Sequence, residues 1–299
     1  MLKKITLALV LAALCAPAYV FASTECTTKY PVVFSHGIAE NNQMFGFDGS
    51  YFYGVKKAVN DRGCKSFYTN VDCMNTKEAK ATQWKTQILS ILAVTGASKI
   101  NLIGHSDGSL YTRLAISNMG LSSKVASHTS ICGPHRGCAV ADIVCGVLPG
   151  WTLSALGGAL DLVYAIIAGD SNSSSAAQGK CLTRSYMATF NKNVPNVAGI
   201  YYQSWATKIK TLPTDMINMG SFLMGPTWTI ELAVEGANDG IVAESSAKWG
   251  TFRGTESGAW WCFGVSHVNA TGQMFGVTPG FSAPDFFVGI VKDLKAKGY

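Results

Sequence analysis

The stretch from Lys99 to Met119, KINLIGHSDGSLYTRLAISNM, constrains this chain more than any other. It begins with a short apolar run typical of a parallel strand that is covered on both faces, and it ends in a helical pattern that stops at Gly120. Between the two lies Gly104-His105-Ser106-Asp107-Gly108, a G-x-S-x-G sequence. Strand, G-x-S-x-G turn and helix together are the pattern of a nucleophile elbow, in which two glycines make room for a strained serine. The pattern predicts a catalytic role for Ser106, and a plain βα turn is the structural alternative.

The composition favours a globular α/β protein over a disordered or nucleic-acid-binding one. Of the 299 residues, 48% are hydrophobic and 14% are charged, which suits a large buried core. The formal net charge is +6, and removal of Lys3 and Lys4 with a leader peptide lowers it by two. Such mild basicity indicates no polyanionic partner, so we expect no nucleic-acid binding.

Residues 1–22 have the pattern of a signal peptide. Lys3 and Lys4 precede an apolar run, Ile5–Cys15, and small residues offer a cleavage site before Ser23. The run is short for a membrane span, so we predict an exported protein, secreted or periplasmic, without a stable membrane anchor. We expect residues 23–299 to form a single domain.

Eight cysteines follow the leader, and an even number in an oxidising compartment favours disulfides. They are Cys26, Cys64, Cys73, Cys132, Cys138, Cys145, Cys181 and Cys262. Geometry argues against Cys64–Cys73, which point to opposite faces of a predicted strand, and against Cys138–Cys145, which lie too far apart on one continuous helix. A Cys132–Cys138 bridge would close the loop between them. We expect at least two disulfides, with the pairing open.

The chain after the leader alternates predicted strands and helices. Strands are expected at Tyr30–Ser35, Lys65–Val71, Ile100–Ile103, Lys124–Ile131, Ile200–Trp205 and Thr227–Val234. Helices are expected at Phe52–Arg62, from Asn75 onward, at Leu110–Met119 and at Pro284–Lys295. This order predicts an α/β fold with a mainly parallel sheet and helices on both faces.

The apolar stretch Trp151–Ala168 has three interpretations. A membrane span is one, although Asp161 lies in its middle. A buried helix is the second. The third is a mobile apolar flap over an apolar site, because Pro149-Gly150 and Gly169 flank the stretch like hinges.

A serine nucleophile needs a base, and the base needs an acid to orient it. The order Ser106, Asp239, His267 matches that of α/β-hydrolases. Asp215 and Glu235 are rival acids. The other histidines are expected to be hydrogen-bonded residues in or beside the core; they are His36, His105, His128 and His135.

The transition state also needs two backbone N–H groups aimed at the developing negative charge. Asp107 supplies one because it follows the nucleophile, and Ile38, after His36-Gly37, is expected to supply the other. The carboxylate of Asp107 must then point away from the oxyanion, and the N-terminus of the helix partly offsets its repulsion.

Taken together, these motifs resemble the secreted bacterial triacylglycerol lipases of the Pseudomonas, Burkholderia and Proteus type. The resemblance runs from Lys29 almost to the C-terminus through YPVVFSHG, NLIGHSDG, GPHRGCAVAD, GIYYQSWA, ANDGIV and SHVNATGQMFG. It implies an α/β-hydrolase fold with the triad and oxyanion hole named above and a helical lid at about residues 139–180, which favours the flap interpretation. It also implies an ester or lipid substrate at an interface and, as a candidate partner, a lipase-specific folding chaperone.

The resemblance further implies a structural calcium ion held by two aspartates and two carbonyl groups. The matching positions here are Asp215, Asn269, Gln273 and Val277. Because Asn269 replaces a carboxylate by an amide, we expect calcium binding to be weak or lost. The chemistry itself requires no cofactor. Ser245 stands where the second cysteine of the family's usual disulfide belongs.

The long loop between Asp239 and His267 carries Trp260 and Trp261, which either pack in the core or form an aromatic wall for substrate. The function expected from the whole sequence is that of a secreted serine carboxylic-ester hydrolase, most simply a triacylglycerol lipase. A polyester depolymerase would use the same triad. The alternative from another class is a catalytically idle hydrolase-fold module that binds an apolar ligand.

Overall fold

The computed structural model describes residues 23–38, 51–73, 75–146, 179–212, 217–273 and 275–299. Its strands are β1 Val32–Ser35, β2 Ser66–Thr69, β3 Ile100–His105, β4 Val125–Ile131, β5 Tyr201–Thr207 and β6 Thr251–Glu256. They form one sheet in the order β2-β1-β3-β4-β5-β6, and every neighbouring pair is parallel. The predicted α/β class and parallel sheet are confirmed.

The helices connect these strands and cover the sheet. They are α1 Val55–Asn60, α2 Lys77–Thr95, α3 Gly108–Asn118, α4 Ala139–Val144, α5 Arg184–Asn193, α6 Met219–Leu223, α7 Gly225–Val234, α8 Glu244–Ala247 and α9 Ala283–Ala296. Within the described part of the chain, no helix is long and apolar enough to cross a membrane.

The core lies on both faces of the sheet, because successive strand residues point to opposite sides. Val33 of β1 packs with Trp84 of α2 and Leu110 of α3 on one face. Phe34, the next residue, packs on the other face, where its ring centroid lies 5.4 Å from that of Phe52 and 5.8 Å from that of Phe287 in α9. A strand buried on both faces explains the unbroken apolar run in its sequence.

The strand expected at Thr227–Val234 is wrong, because this segment is helix α7. Its β-branched residues suggested a strand, but Pro226 in the first turn is a helix-start signal. The threonine hydroxyl groups bond backward to helical carbonyls, as in Thr229 Oγ1 to Gly225 O at 3.1 Å. Thr227 and Glu231, one turn apart, are buried, whereas Leu232 is exposed. The sixth strand is Thr251–Glu256, which lies after Asp239 rather than before it.

The helix expected to open at Asn75 begins at Lys77 with Thr76 as its N-cap. Thr76 Oγ1 accepts the backbone N–H of Ala79 at 3.3 Å, while the Asn75 side chain accepts that of Thr76 at 2.8 Å. Because adjacent Asn and Thr are both good caps, sequence alone placed the start one residue early.

Several expectations lie outside the described residues: the leader (residues 1–22), the stretch Trp151–Ala168 and Asp215. Of the lid range, α4 and the segment from Gly179 onward are described. Among the described residues, seven cysteines are free thiols, namely Cys26, Cys64, Cys132, Cys138, Cys145, Cys181 and Cys262. The expected disulfides stay a prediction.

Candidate active site

Ser106 lies at the turn between β3 and α3 with the backbone strain that an elbow requires. Its φ is 55°, in the left-handed region that non-glycine residues avoid at a cost of about 1–3 kcal/mol. The backbone N–H of Ser106 donates to Ile131 O at the end of β4 at 2.9 Å, which fixes the turn to the sheet.

The two glycines of the motif are required by close packing. A Cβ on Gly108 would lie 2.3 Å from Ser35 O, and one on Gly104 would lie 2.8 Å from Gly108 O. Any side chain at either position would therefore push α3 away from β1 or from its own strand. The structure thus gives a physical reason for G-x-S-x-G at this turn.

His267 and Asp239 form a buried hydrogen-bonded pair. His267 Nδ1 lies 2.8 Å from Asp239 Oδ2, and the backbone N–H of His267 donates to Asp239 O at 2.8 Å. The other carboxylate oxygen of Asp239 accepts the backbone N–H groups of Ile241 at 3.0 Å and Val242 at 2.7 Å. Asp239 is thereby held by three donors, and it fixes the imidazole with Nε2 left over for proton transfer.

The His267 ring packs beside the elbow. Its centroid lies 4.6 Å from that of His105, the residue that precedes Ser106. Between the two described residues Ser106 and His267, the structure forms no hydrogen bond. Hydrogen bonds of this kind are often long without substrate and tighten in the substrate complex.

The loop that carries Ile38 passes directly against the nucleophile. A Cβ on Gly37 would lie 2.7 Å from Ser106 Cβ and 3.1 Å from Ser106 Oγ. The loop is held in place because Tyr111 Oη donates to His36 O at 3.0 Å. Gly37, the residue before Ile38, is therefore in close contact with Ser106.

The carboxylate of Asp107, the second expected oxyanion residue, is turned away from the site into a buried ion cluster. Lys77 Nζ lies 2.9 Å from Asp107 Oδ1 and Lys80 Nζ lies 2.7 Å from Asp107 Oδ2, with all three side chains fully buried. Burial by itself raises the pKa of the Asp107 carboxyl, but the two ammonium groups outweigh burial and hold the pKa well below its usual range. Asp107 is thus ionised and bound by both lysines, while burial lowers the pKa of Lys80 from its usual value.

Sequence reasoning missed both lysines. Lys77 and Lys80 continue the stripe of Trp84 and Ile88 toward the start of α2, at helical spacing, and all four side chains are buried. Lysines on an otherwise apolar stripe are a signal of buried charge pairs, because lysine is almost never fully buried without a partner. Their partner is the one acidic residue of the elbow.

Each histidine not chosen as the base is buried and makes at least one hydrogen bond, although His105 Nε2 and His128 Nδ1 have no partner. His36 Nε2 accepts the backbone N–H of Val71 at 3.0 Å, and His135 Nε2 lies 2.8 Å from Ser130 Oγ. Burial lowers the pKa of His36 to about 4 and that of His128 to about 3, so both rings are neutral at pH 7. The rival acid Glu235 faces Arg184 at 3.6 Å rather than a histidine.

The side chain of Asn269, one of the three described members of the expected calcium site, does not fit the ion. Asn269 Oδ1 accepts hydrogen bonds from Ser266 Oγ at 2.7 Å and from Ser221 Oγ at 3.3 Å. The side-chain group that remains is Nδ2, a buried donor without a partner, and a donor cannot ligate a cation. Gln273 and Val277 are expected to offer only their backbone carbonyl groups. The fourth expected member, Asp215, lies outside the described residues.

Trp260 and Trp261 lie on the surface. Their exposed fractions are 90% and 59%, which excludes core packing for this pair. Beneath them, Lys210 Nζ donates to Ala259 O at 2.6 Å and ties their loop to the segment after β5.

Comparisons with known proteins show which families this chain is similar to. The family model of palmitoyl protein thioesterases matches residues 31–173. A triacylglycerol lipase of Vibrio cholerae is 33% identical over 243 residues, which cover 75% of this chain and 75% of that protein. A triacylglycerol lipase of Burkholderia plantarii is 30% identical over 238 residues, which cover 75% of this chain and 65% of that protein.

Two solved structures show the same fold. The mature form of a Bacillus licheniformis lipase has a TM-score of 0.60 at 17% identity, over 82% of this chain and 88% of that one. A metagenomic carboxyl esterase has a TM-score of 0.65 at 15% identity, over 95% of this chain and 80% of that one. The identity with the Vibrio protein extends over three quarters of both chains, and the fold is that of an α/β-hydrolase. This chain therefore belongs to the bacterial triacylglycerol lipase family of carboxylic ester hydrolases.

Proposed function

We propose that this protein is an exported serine hydrolase that cleaves acylglycerol esters through a triad of Ser106, Asp239 and His267. The observation that carries the proposal is the buried His267–Asp239 hydrogen bond beside a serine held at positive φ on an elbow. A base oriented by an acid next to a strained serine is the arrangement that nucleophilic ester cleavage needs.

The residues act in two half-reactions. Ser106 Oγ attacks the ester carbonyl carbon, His267 Nε2 takes the hydroxyl proton, and the same proton then protonates the departing alcohol. This leaves the acyl group on Ser106. Water then attacks the acyl-enzyme and gives a proton to His267. His267 returns this proton to Ser106 Oγ as the bond between serine and acyl group breaks, which releases the fatty acid and restores the serine. Asp239 stays ionised and stabilises the imidazolium.

The backbone N–H groups of Ile38 and Asp107 are proposed to hold the oxyanion. The approach of the Gly37 backbone to Ser106 supports the first assignment. The ion cluster of Asp107 with Lys77 and Lys80 supports the second, because it removes the repulsion that a free carboxylate would exert on an oxyanion.

Export of the protein rests on the leader-like residues 1–22. A lipase-specific folding chaperone remains a candidate partner. Expression of residues 23–299 alone tests that partner directly: a high yield of active protein without any added factor would contradict a need for the chaperone.

Labelling with a fluorescent alkyl phosphonate tests the nucleophile. We expect one adduct on the wild type, mapped by peptide mass spectrometry to Ser106, and none on Ser106→Ala. Ser90→Ala is the matched control, because Ser90 is an exposed serine on α2 and its loss should leave labelling unchanged. An adduct elsewhere, or none at all, would contradict the assignment and favour an idle ligand-binding module.

The substrate class is tested separately. We expect hydrolysis of long-chain triacylglycerol emulsions as well as soluble short-chain esters. Activity confined to a solid polyester film would favour a depolymerase, and activity confined to acyl thioesters would favour the chemistry named by the thioesterase family model.

A further inference from the structure

We propose that His105, Cys132 and His267 form a binding site for Zn²⁺, and that zinc bound there inhibits the enzyme reversibly. Each of the three residues offers one ligand atom, these atoms lie within 4.8 Å of one another, and all three residues are buried. The binding site is independent of the function proposed above, whereas the inhibition rests on it, since His267 is the proposed base.

One ring nitrogen of His105 has no hydrogen-bond partner. Its Nδ1 lies 2.6 Å from Tyr51 Oη, whereas its Nε2 is buried and has no hydrogen-bond partner. A buried polar atom without a partner is costly and calls for an explanation, such as an ion that is bound part of the time. When Nδ1–H donates to Tyr51, the lone pair of Nε2 is free to bind a metal.

His267 is arranged in the same way. Its Nδ1 bonds to Asp239 Oδ2 at 2.8 Å, which leaves Nε2 as its free nitrogen. Histidines that bind zinc nearly always donate their other N–H to a carboxylate or another oxygen, which fixes the ring and raises its basicity. Tyr51 and Asp239 fill that supporting role for the two histidines.

Cys132 contributes a thiol from a strained backbone. It follows β4 directly, its φ is 51°, and it is completely buried. A non-glycine residue in the left-handed region persists only where the surroundings hold it, and such residues cluster at functional sites. Its Sγ lies 3.2 Å from Thr207 Oγ1 on β5, which orients the side chain.

The donor set selects the metal. Two imidazoles and one thiolate suit Zn²⁺, whereas Ca²⁺ and Mg²⁺ prefer oxygen ligands. Ligand atoms that lie at most 4.8 Å apart surround a point about 2.8 Å or less from each, and zinc bonds of roughly 2.0–2.3 Å need only a small inward shift of the side chains. Binding displaces the thiol proton to solvent and forms the S–Zn bond.

Zinc at this site removes the catalytic base from use. A metal on the free nitrogen of His267 occupies the lone pair that must accept the Ser106 proton. Binding of zinc and ester cleavage therefore exclude each other, and removal of the metal by a chelator restores activity.

We use Co²⁺ in place of Zn²⁺ as a spectroscopic probe, because its absorption band reports metal binding without any measurement of ester hydrolysis. We expect Co²⁺ added to the reduced full-length mature protein to give a near-ultraviolet thiolate-to-cobalt band that Zn²⁺ abolishes by displacement. The band should be lost in Cys132→Ala and kept in Cys138→Ala, a matched control whose thiol is equally buried but lies outside the cluster. Cys132→Gly, which adopts the positive φ without strain, serves if the alanine variant does not fold.

Inhibition is measured next, relative to the metal-free activity of each variant. Zn²⁺ should inhibit the wild type. Replacement of Cys132 should raise the half-inhibitory zinc concentration by more than ~10-fold, which is the loss of metal affinity that removal of a residue supporting a ligand typically causes. A cobalt band that persists in both Cys132 variants would overturn the site. If the wild type shows the band and is active but zinc does not inhibit it, the inhibitory role is overturned. If the protein shows the band but has no esterase activity, the metal site stands and the proposed function is refuted.

Discussion

Lys80 Nζ lies 2.7 Å from Asp107 Oδ2, and neither side chain has any exposed surface. With Lys77 on the other oxygen, two buried lysines bind one buried carboxylate beside Ser106. In the proposed mechanism this explains how an aspartate can follow Ser106, because the charge of Asp107 is bound before any oxyanion forms.

The three members of this cluster should differ in their contribution to stability. Asp107→Asn leaves two buried ammonium groups without a counter-ion and should cost about 3–5 kcal/mol of unfolding free energy. Lys80→Met leaves the neutral pair of Lys77 and Asp107 and should cost clearly less. Urea unfolding at pH 7 measures both. If Asp107→Asn were as stable as Lys80→Met, the cost expected from two buried ammonium groups without a counter-ion would be contradicted.

The same cluster makes stability depend on acid pH. The pKa of Asp107 is lowered in the folded state, so below its unfolded value of about 4 the unfolded chain binds a proton that the folded chain does not. The stabilisation is therefore present at neutral pH and is lost progressively as the pH falls below about 5. In urea unfolding, Lys80→Met should lose less free energy of unfolding than the wild type between pH 5 and pH 3. The same dependence on pH in both proteins would contradict an origin in Asp107.

Calcium should matter little to this protein. The Asn269 oxygen is already bonded to Ser266 and Ser221, and a weak site adds stability only as the logarithm of ion concentration over Kd. We expect a chelator to lower the Tm by a few degrees at most, and Asn269→Asp to make the Tm more responsive to calcium. Calorimetric scans with chelator and with added calcium measure this. A collapse of structure in chelator would show a tight site.

At least two disulfides are expected in the exported protein. We predict a bridge between Cys26 and Cys64, because both are buried in the same apolar cluster. The Cys26 backbone N–H also donates to Arg62 O at 2.8 Å. Peptide mapping of the unreduced secreted protein should find this bridge. Eight free thiols there would refute both the pairing and the oxidising compartment.

The exposed tryptophans should act at a lipid surface. A large ring that is 90% exposed, as in Trp260, gains free energy by entering the boundary of a lipid droplet. Trp260→Ala should therefore lower the hydrolysis of emulsified triacylglycerol several-fold and leave kcat/KM for a dissolved ester unchanged. Trp249→Ala, on the loop before β6, is a comparison variant that should not separate the two substrates. Equal losses on both substrates for Trp260→Ala would contradict a surface role.

The elements that sequence predicts best here are those set by local rules. Ser106 was found because the steric demands of the elbow fall on Gly104 and Gly108 within the same motif. Asp239 and His267 followed from the order of the triad and from a resemblance to related chains, and the structure places them in hydrogen-bond contact.

The features that sequence did not predict depend on contacts between distant segments. The partner of Lys80 is 27 positions away, on another element, so the position of the lysine on its helix does not identify that partner. Segment Thr227–Val234 has β-branched residues, but burial of Glu231 against α4, where its Oε1 accepts the Val140 N–H at 2.9 Å, favours the helix. Local propensity is a weak guide where packing decides.

The central claim is that Ser106 attacks the ester and that His267 takes its proton. The most direct measurement is kcat/KM on a soluble ester for Ser106→Ala and His267→Ala, with circular dichroism to verify that each variant is folded. Both variants should lose about 10⁴-fold or more, and the double variant should lose little beyond either, because the two residues act as one unit. Near-normal turnover by a folded Ser106→Ala protein would contradict the whole account.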